Sequence, residues 1–347
     1  MKTPIMLTAA AVAAAAARAS VRRTSDDITG EVAIVTGASR GLGLAIAREL
    51  AGHSARLVIC ARGQDQLDAA EADLLALGAE VTAVACDLDD EGSADLLVAA
   101  ALERYGRLDI LVNNAGIITV GPVESTTASD YEAAVRTMAL APLRLTLAAL
   151  PVMRGQAHGR ILNITSIGGK VSVPHLLPYC TAKFAAVGFS EGLRAELGSG
   201  PVAVTTVVPG LMRTGSHLNA LFSGRAEEEF TWFSLGASLP LVSMDAASAA
   251  HQIVEGMRQR RAEVILTPLA QVVARGAGIL PELTSALLHL TKQVLPAATG
   301  QPGQPVPGHA LRPALNQQVF SRLTALGRTA ARQFNQLPQP SASRGGS

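Results

Sequence analysis

The sequence predicts one α/β domain built on a doubly wound, parallel, seven-stranded sheet. Three observations predict it. Short runs rich in β-branched residues recur along the chain, at Val32–Thr36, Leu57–Cys60, Val81–Ala85, Ile110–Val112, Ile161–Thr165, Val202–Val208 and Glu263–Leu266. Segments with helical period separate them, most clearly Gly41–Ala51, Gln64–Leu77, Glu91–Tyr105 and Ala246–Arg260. Most of the runs are apolar throughout rather than alternating, as strands covered by helices on both faces must be.

Composition sets the outer bounds. The 347 residues are 48% hydrophobic and 16% charged, which supports a large core and excludes disorder for the bulk of the chain. The formal net charge is +1, and basic residues cluster no further than pairs such as Arg22-Arg23 and Arg260-Arg261, so no nucleic-acid partner is expected. Cys60, Cys86 and Cys180 have neither CxxC nor metal-ligand spacing and read as small core residues.

The first strand runs into Thr36-Gly37-Ala38-Ser39-Arg40-Gly41-Leu42-Gly43, and a helix follows. Glycines there let the backbone turn tightly and approach a pyrophosphate, which the free N–H groups of the helix end would bind. The second strand ends at Ala61-Arg62 without the acid that usually accepts hydrogen bonds from a ribose. Arg62 and Arg40 are instead suited to a 2′-phosphate, so NADP(H) is favoured over NAD(H). Asp87-Leu88 follows the third strand, and Asn113-Asn114-Ala115-Gly116 ends the fourth.

Ser166 closes the fifth strand, thirteen residues before Tyr179, and Tyr179 and Lys183 share one face of the next helix. A tyrosine hydroxyl is a poor base at neutral pH. A neighbouring ammonium and an oxidised nicotinamide would both lower its pKa by stabilising phenolate. Tyr179 could then exchange a proton with a carbonyl or alcohol oxygen that Ser166 also holds. Only four of the 29 basic residues are lysines, so a lysine at this spacing stands out. Pro209-Gly210 and Thr214 follow the sixth strand.

In its TGxxxGxG, NNAG, YxxxK and PGxxxT motifs the chain resembles the short-chain dehydrogenase/reductase family over roughly residues 31–268. The resemblance implies a Rossmann-like fold and a homo-oligomer, with Ser166, Tyr179 and Lys183 as catalytic residues. It implies cofactor contacts from Thr36, Gly37, Ser39, Arg40, Gly41, Leu42, Gly43 and Arg62, with Asp87 and Leu88 beside the adenine. Further contacts are implied from Asn114, Ala115, Gly116, Pro209, Gly210 and Thr214, and from Tyr179 and Lys183 at the nicotinamide ribose. One position departs from the family pattern. Aligned on Leu150-Pro151, Met138 stands where the family carries an asparagine that keeps a break in the helix and binds a relay water. Pro142 has no N–H for the Met138 carbonyl and could make the break instead.

The long connection Gly210–Ser243 holds Phe222, Phe230, Trp232 and Phe233. It reads as a lid over an apolar, lipid-like substrate, or as aromatics that pack the lid onto the body. His175 reads as a solvated loop histidine, and Glu227-Glu228-Glu229 as a solvated helix face. The expected activity is interconversion of a secondary alcohol and a ketone or aldehyde. The alternatives are a nucleotide-sugar epimerase, disfavoured by the glycine spacing, and a cofactor-binding regulator or membrane-surface scaffold. Residues 1–30 are Ala-rich, with Arg18, Arg22 and Arg23 behind the largely apolar stretch 4–17. They fit an anchor holding a cytoplasmic body to a membrane, an Ala-rich helix or a cleaved signal. Residues 269–295 read as a helical extension, and 296–347 as a Pro/Gly-rich linker, a short amphipathic helix and a polar tail.

Overall fold

The computed structural model describes residues 25–240, 242–299 and 303–337. Seven parallel strands form the main sheet: β1 (Val32–Thr36), β2 (Arg56–Ala61), β3 (Val81–Ala85), β4 (Ile110–Asn113), β5 (Gly159–Ile164), β6 (Val202–Val208) and β7 (Glu263–Ile265). Their order is β7-β6-β5-β4-β1-β2-β3. The chain reverses direction across the sheet between β1 and β4, whose register pairs Val35 with Val112. A crevice beyond the C-terminal ends of the strands is expected at such a switch point.

Both faces are covered. On one face α1 (Gly41–Gly52) and α8 (Ala246–Arg258) pack together, burying Leu44, Ile46 and Leu50 with Ile253, Val254 and Met257. On the other, α3 (Ser93–Tyr105) meets α5 (Ala141–Gly155), burying Leu97, Ala101, Leu145, Ala149 and Met153. Between β2 and β3 lies α2 (Gln64–Ala76).

The expected helix break lies between α4 (Ala128–Val135) and α5. Arg136–Leu140 form a π turn in which the Ala141 N–H reaches the Arg136 carbonyl, five residues back. Pro142 supplies no N–H to the carbonyls behind it, so the wider turn ends there. Among the described residues, 128–155 is the one helical stretch long and apolar enough to cross a membrane. One side of it packs on the body, against α3 and α6 (Leu177–Leu197), while Leu140 and Leu147 are exposed.

The C-terminal part packs on the body as far as it is described, and the expected polar tail, 338–347, lies outside the described residues. Val306–Pro307 joins Leu221–Phe222 and Thr119–Val120 in a small sheet. The expected single helix is two, α11 (Gln317–Leu323) and α12 (Ala325–Gln333), and both pack on α7 (Ala226–Ser238). The connection supplies the surface they cover: Phe222, Phe230 and Phe233 are buried together with Leu311 and Phe320. The lid aromatics therefore pack the extension to the body. Before it, α9 (Pro268–Ile279) and α10 (Pro281–Val294) pack on one another and expose Leu283, Leu287 and Leu290. Residues 4–17, the expected anchor, lie outside the described residues.

Candidate active site

A cleft of about 550 Å³ opens over the C-terminal ends of β1, β4 and β5. It holds nearly every residue expected at the site.

At one end stands the glycine loop. Thr36 Oγ donates to the Val112 carbonyl at 3.2 Å and accepts the N–H groups of Asn114 at 2.9 Å and Ala115 at 3.1 Å. Asn114 Nδ2 donates to the Thr36 carbonyl at 2.9 Å, locking the loop after β4 onto the loop after β1. Side chains do not fit between these loops. A Cβ on Gly37, whose φ is +62°, would stand 2.9 Å from Ala115 Cα, and one on Gly43 would stand 2.3 Å from the Gly37 carbonyl oxygen. The exclusion brings the N-terminus of α1, which no side chain caps, to the cleft.

Arg40 and Arg62 line the same end with Asp87 and Leu88. Arg40 is turned inward, donating to Asn219 Oδ1 at 2.9 Å and to Gln66 Oε1 at 3.2 Å. Burial and then the like charge of Arg62 lower its pKa. Arg62 is exposed, with Asp87 Oδ2 3.8 Å away. Both guanidiniums thus line this end of the cleft, Arg40 held by two amide oxygens and Arg62 beside the Asp87 carboxylate.

At the other end β5 delivers Ser166 and α6 delivers Tyr179 and Lys183. Ser166 Oγ accepts the Gly168 N–H at 3.0 Å, which fixes its rotamer. Lys183 is buried and donates to the Ile164 carbonyl at 2.8 Å, with Nζ 5.8 Å from the centre of the Tyr179 ring. Burial pulls the lysine down to about 8. At Tyr179 burial acts against the lowering expected from an ammonium and an oxidised nicotinamide. Burial pushes its hydroxyl up to about 12, outweighing the Ser166 hydrogen bond that lowers it. The protein alone therefore keeps the phenol protonated, and a further positive charge beside it is needed to favour phenolate.

Met138 is buried against Tyr179 and Ala182, and its sulfur would stand 3.3 Å from a Cβ on Gly116. Pro209, Gly210 and Thr214 line the cleft, as do Ser39, Leu42 and Ala115. Cys86 lines it too, whereas Cys60 and Cys180 are core residues.

Two readings of the sequence are corrected. His175 is not solvated: it is buried at φ +64°, with Nδ1 2.7 Å from Glu229 Oε1. Glu229 is not on a solvated face either. It is fully buried and also accepts from Trp232 Nε1 at 2.6 Å, while its neighbour Glu228 remains exposed. A carboxylate can sit there because two donors meet it. Residues that sequence reasoning missed are Gln66 and Gln336, both lining the cleft with Asn219 of the segment after Thr214. A glutamine in the first turn of a helix, as Gln66 in α2, or beyond the end of one, as Gln336 after α12, carries no signal of its own.

Comparison with known proteins agrees with this geometry. The profile of the family described as "short chain dehydrogenase" matches residues 31–221. The chain belongs to the short-chain dehydrogenase/reductase family. It is 34% identical over 258 residues to a dehydrogenase/reductase SDR family protein 7-like from Anopheles gambiae, covering 72% of this chain and 78% of that one. It is 36% identical over 208 residues to a putative ketoacyl reductase of Streptomyces coelicolor, covering 58% and 80%. Among solved structures, a short-chain dehydrogenase from Streptomyces avermitilis superposes with a TM-score of 0.64 at 32% identity, over 76% of this chain and 97% of that one. A Burkholderia phymatum family member solved with NAD gives a TM-score of 0.66 at 25% identity, over 74% and 96%. This short-chain dehydrogenase/reductase is an oxidoreductase acting on CH–OH donors with a nicotinamide dinucleotide.

Proposed function

We propose that the chain is an NADP(H)-dependent enzyme interconverting a secondary alcohol and a ketone or aldehyde, with Tyr179 as the acid and base. The observation that carries this reading is the convergence of Ser166, Tyr179 and Lys183 at one end of a cleft whose other end is the glycine loop. The residues present fit a dinucleotide: the Gly37 and Gly43 approaches leave no room for side chains, and no side chain caps the α1 end. Gly37, Leu42 and Gly43 would hold its phosphates, Asp87 and Leu88 its adenine side, and Asn114, Ala115, Pro209, Gly210 and Thr214 the remainder. When bound, it supplies or accepts the hydride.

Tyr179 donates its proton to the carbonyl oxygen in reduction and takes one from the hydroxyl in oxidation. Ser166 holds that oxygen by a hydrogen bond. Lys183, anchored on the Ile164 carbonyl, presents a positive charge under the ring. The adjacency of Arg40 and Arg62, with no acid at the tip of β2, supports a 2′-phosphate. Support for an apolar substrate comes from Ile117, Ile118 and Leu221 in the cleft wall, and from the ketoacyl reductases among the relatives, rather than from the lid aromatics. Membrane attachment through residues 4–17 and self-association belong to the same proposal.

The test is a screen of β-ketoacyl thioesters and long-chain ketones with NADPH and NADH, followed by loss of reduced-cofactor absorbance. Turnover with NADPH on at least one carbonyl compound is expected. Tight NADPH binding without turnover on any would favour a cofactor-binding regulator, the reading that Met138 at the asparagine position keeps open.

A further inference from the structure

The C-terminal segment ends on the glycine loop. The Phe334 carbonyl accepts the Gly41 N–H at 2.8 Å, and Asn335 Nδ2 donates to the carbonyls of Ser39 at 2.9 Å and Gln66 at 3.1 Å. Phe334 and Gln336 are buried, at 1% and 4% exposure, although they lie some 300 residues from the loop they touch. Phe334 carries the Arg48 guanidinium 5.5 Å above its ring, and Gly215 leaves room for Ala331, which a Cβ would meet at 2.5 Å.

A chain of hydrogen bonds fixes which way the Gln336 amide points. Arg40 can only donate, so its partner on Asn219 at 2.9 Å is the amide oxygen. Asn219 Nδ2 is then turned toward Gln336, where it donates to the backbone carbonyl at 2.9 Å and to Oε1 at 2.7 Å. With Oε1 engaged, Gln336 Nε2 is the atom that lies over Gly41, 2.6 Å from where a Cβ would be. Gly41 opens α1, the helix end that meets the anionic part of a dinucleotide. The segment thus occupies one backbone donor there, the Gly41 N–H, and sets a side-chain donor beside it.

From this geometry we infer that Gln336 is a cofactor-contacting residue, whose Nε2 donates to the phosphates of the bound dinucleotide. The inference rests on the dinucleotide reading of the cleft. It makes the C-terminal segment part of the binding site, with Asn219 positioning Gln336 and tying it to Arg40. The segment contributes a donor that the family's glycine loop motif does not contain.

The experiment is calorimetric titration of NADPH into the full chain and into Gln336→Ala, Gln336→Glu and Gln336→Lys, each checked for an unchanged melting transition. Alanine should weaken binding about 10- to 100-fold, on the scale of one hydrogen bond to a charged group. Glutamate should weaken it further, with the excess loss shrinking at high salt, because a carboxylate would face the phosphates. Lysine should restore or tighten binding. A merely structural role predicts equal losses for glutamate and lysine, and that result would overturn the inference, as would alanine binding within twofold of wild type. Wild-type protein that binds neither NADPH nor NADH would instead overturn the dinucleotide reading. Gln336→Ala, which removes the side chain beyond Cβ and keeps the backbone bond of Phe334, decides the matter if a charged variant fails to fold.

Discussion

Replacing Glu229 with leucine should destabilise the protein by about 1–4 kcal/mol. The carboxylate is fully buried and accepts from His175 at 2.7 Å and from Trp232 at 2.6 Å. Leucine leaves both donors unpaired, each costing about 1–3 kcal/mol, and the added apolar burial offsets about 1–2 kcal/mol of that. Urea unfolding followed by far-ultraviolet circular dichroism measures the effect as a fall in midpoint at constant slope. Glu228→Leu, one residue away on the exposed face, should stay within about 0.5 kcal/mol of wild type. A Glu229→Leu protein as stable as the Glu228→Leu control would refute the reasoning and return the whole acidic run to the surface.

Three further outcomes follow from the site. Arg62→Asp should weaken NADPH binding about 10- to 100-fold, the scale of a charge-assisted hydrogen bond, and improve NADH binding; an unchanged preference in titrations would remove Arg62 from the phosphate. Lys183 is lowered from 10.5 to about 8, so the unfolded chain binds the extra proton between those values and wild-type stability should gain up to about 3 kcal/mol as pH rises through that window. Lys183→Met should lack that gain in denaturation series from pH 8 to 10, and an identical pH profile would contradict the burial argument. Pro142→Ala restores an N–H behind the π turn and should slow proton exchange, lowering kcat and leaving cofactor binding intact, whereas Met138→Ala should be tolerated. A tenfold gain in turnover from Met138→Asn, with Pro142→Ala harmless, would show an impaired relay instead.

The strands and the two ends of the cleft were legible because each rests on local chemistry. Val32–Thr36 reads as a covered strand from its apolar run, and the glycines after it from the turn they permit. Tyr179 and Lys183 share a helix face at any spacing of four. What was not legible depends on distant partners. His175 and Glu229 look solvated in sequence because the pairing that buries them joins residues 54 apart. Gln336 gave no signal because its role is set by Phe320 and Leu311 packing on aromatics a hundred residues earlier. The pKa of Tyr179 is expected to fall beside an ammonium and an oxidised nicotinamide, and burial, which depends on distant packing, pushes it the other way.

The central claim is that Tyr179 exchanges the proton. Phenylalanine at this position removes one hydroxyl and little volume, so fold and NADPH binding should be retained. Measured on any substrate found in the screen, kcat/KM of Tyr179→Phe should fall by at least about 10²-fold, as for the loss of a general acid–base group, with NADPH affinity within about threefold of wild type. Activity within about threefold of wild type would contradict the account and take Tyr179 out of the chemistry.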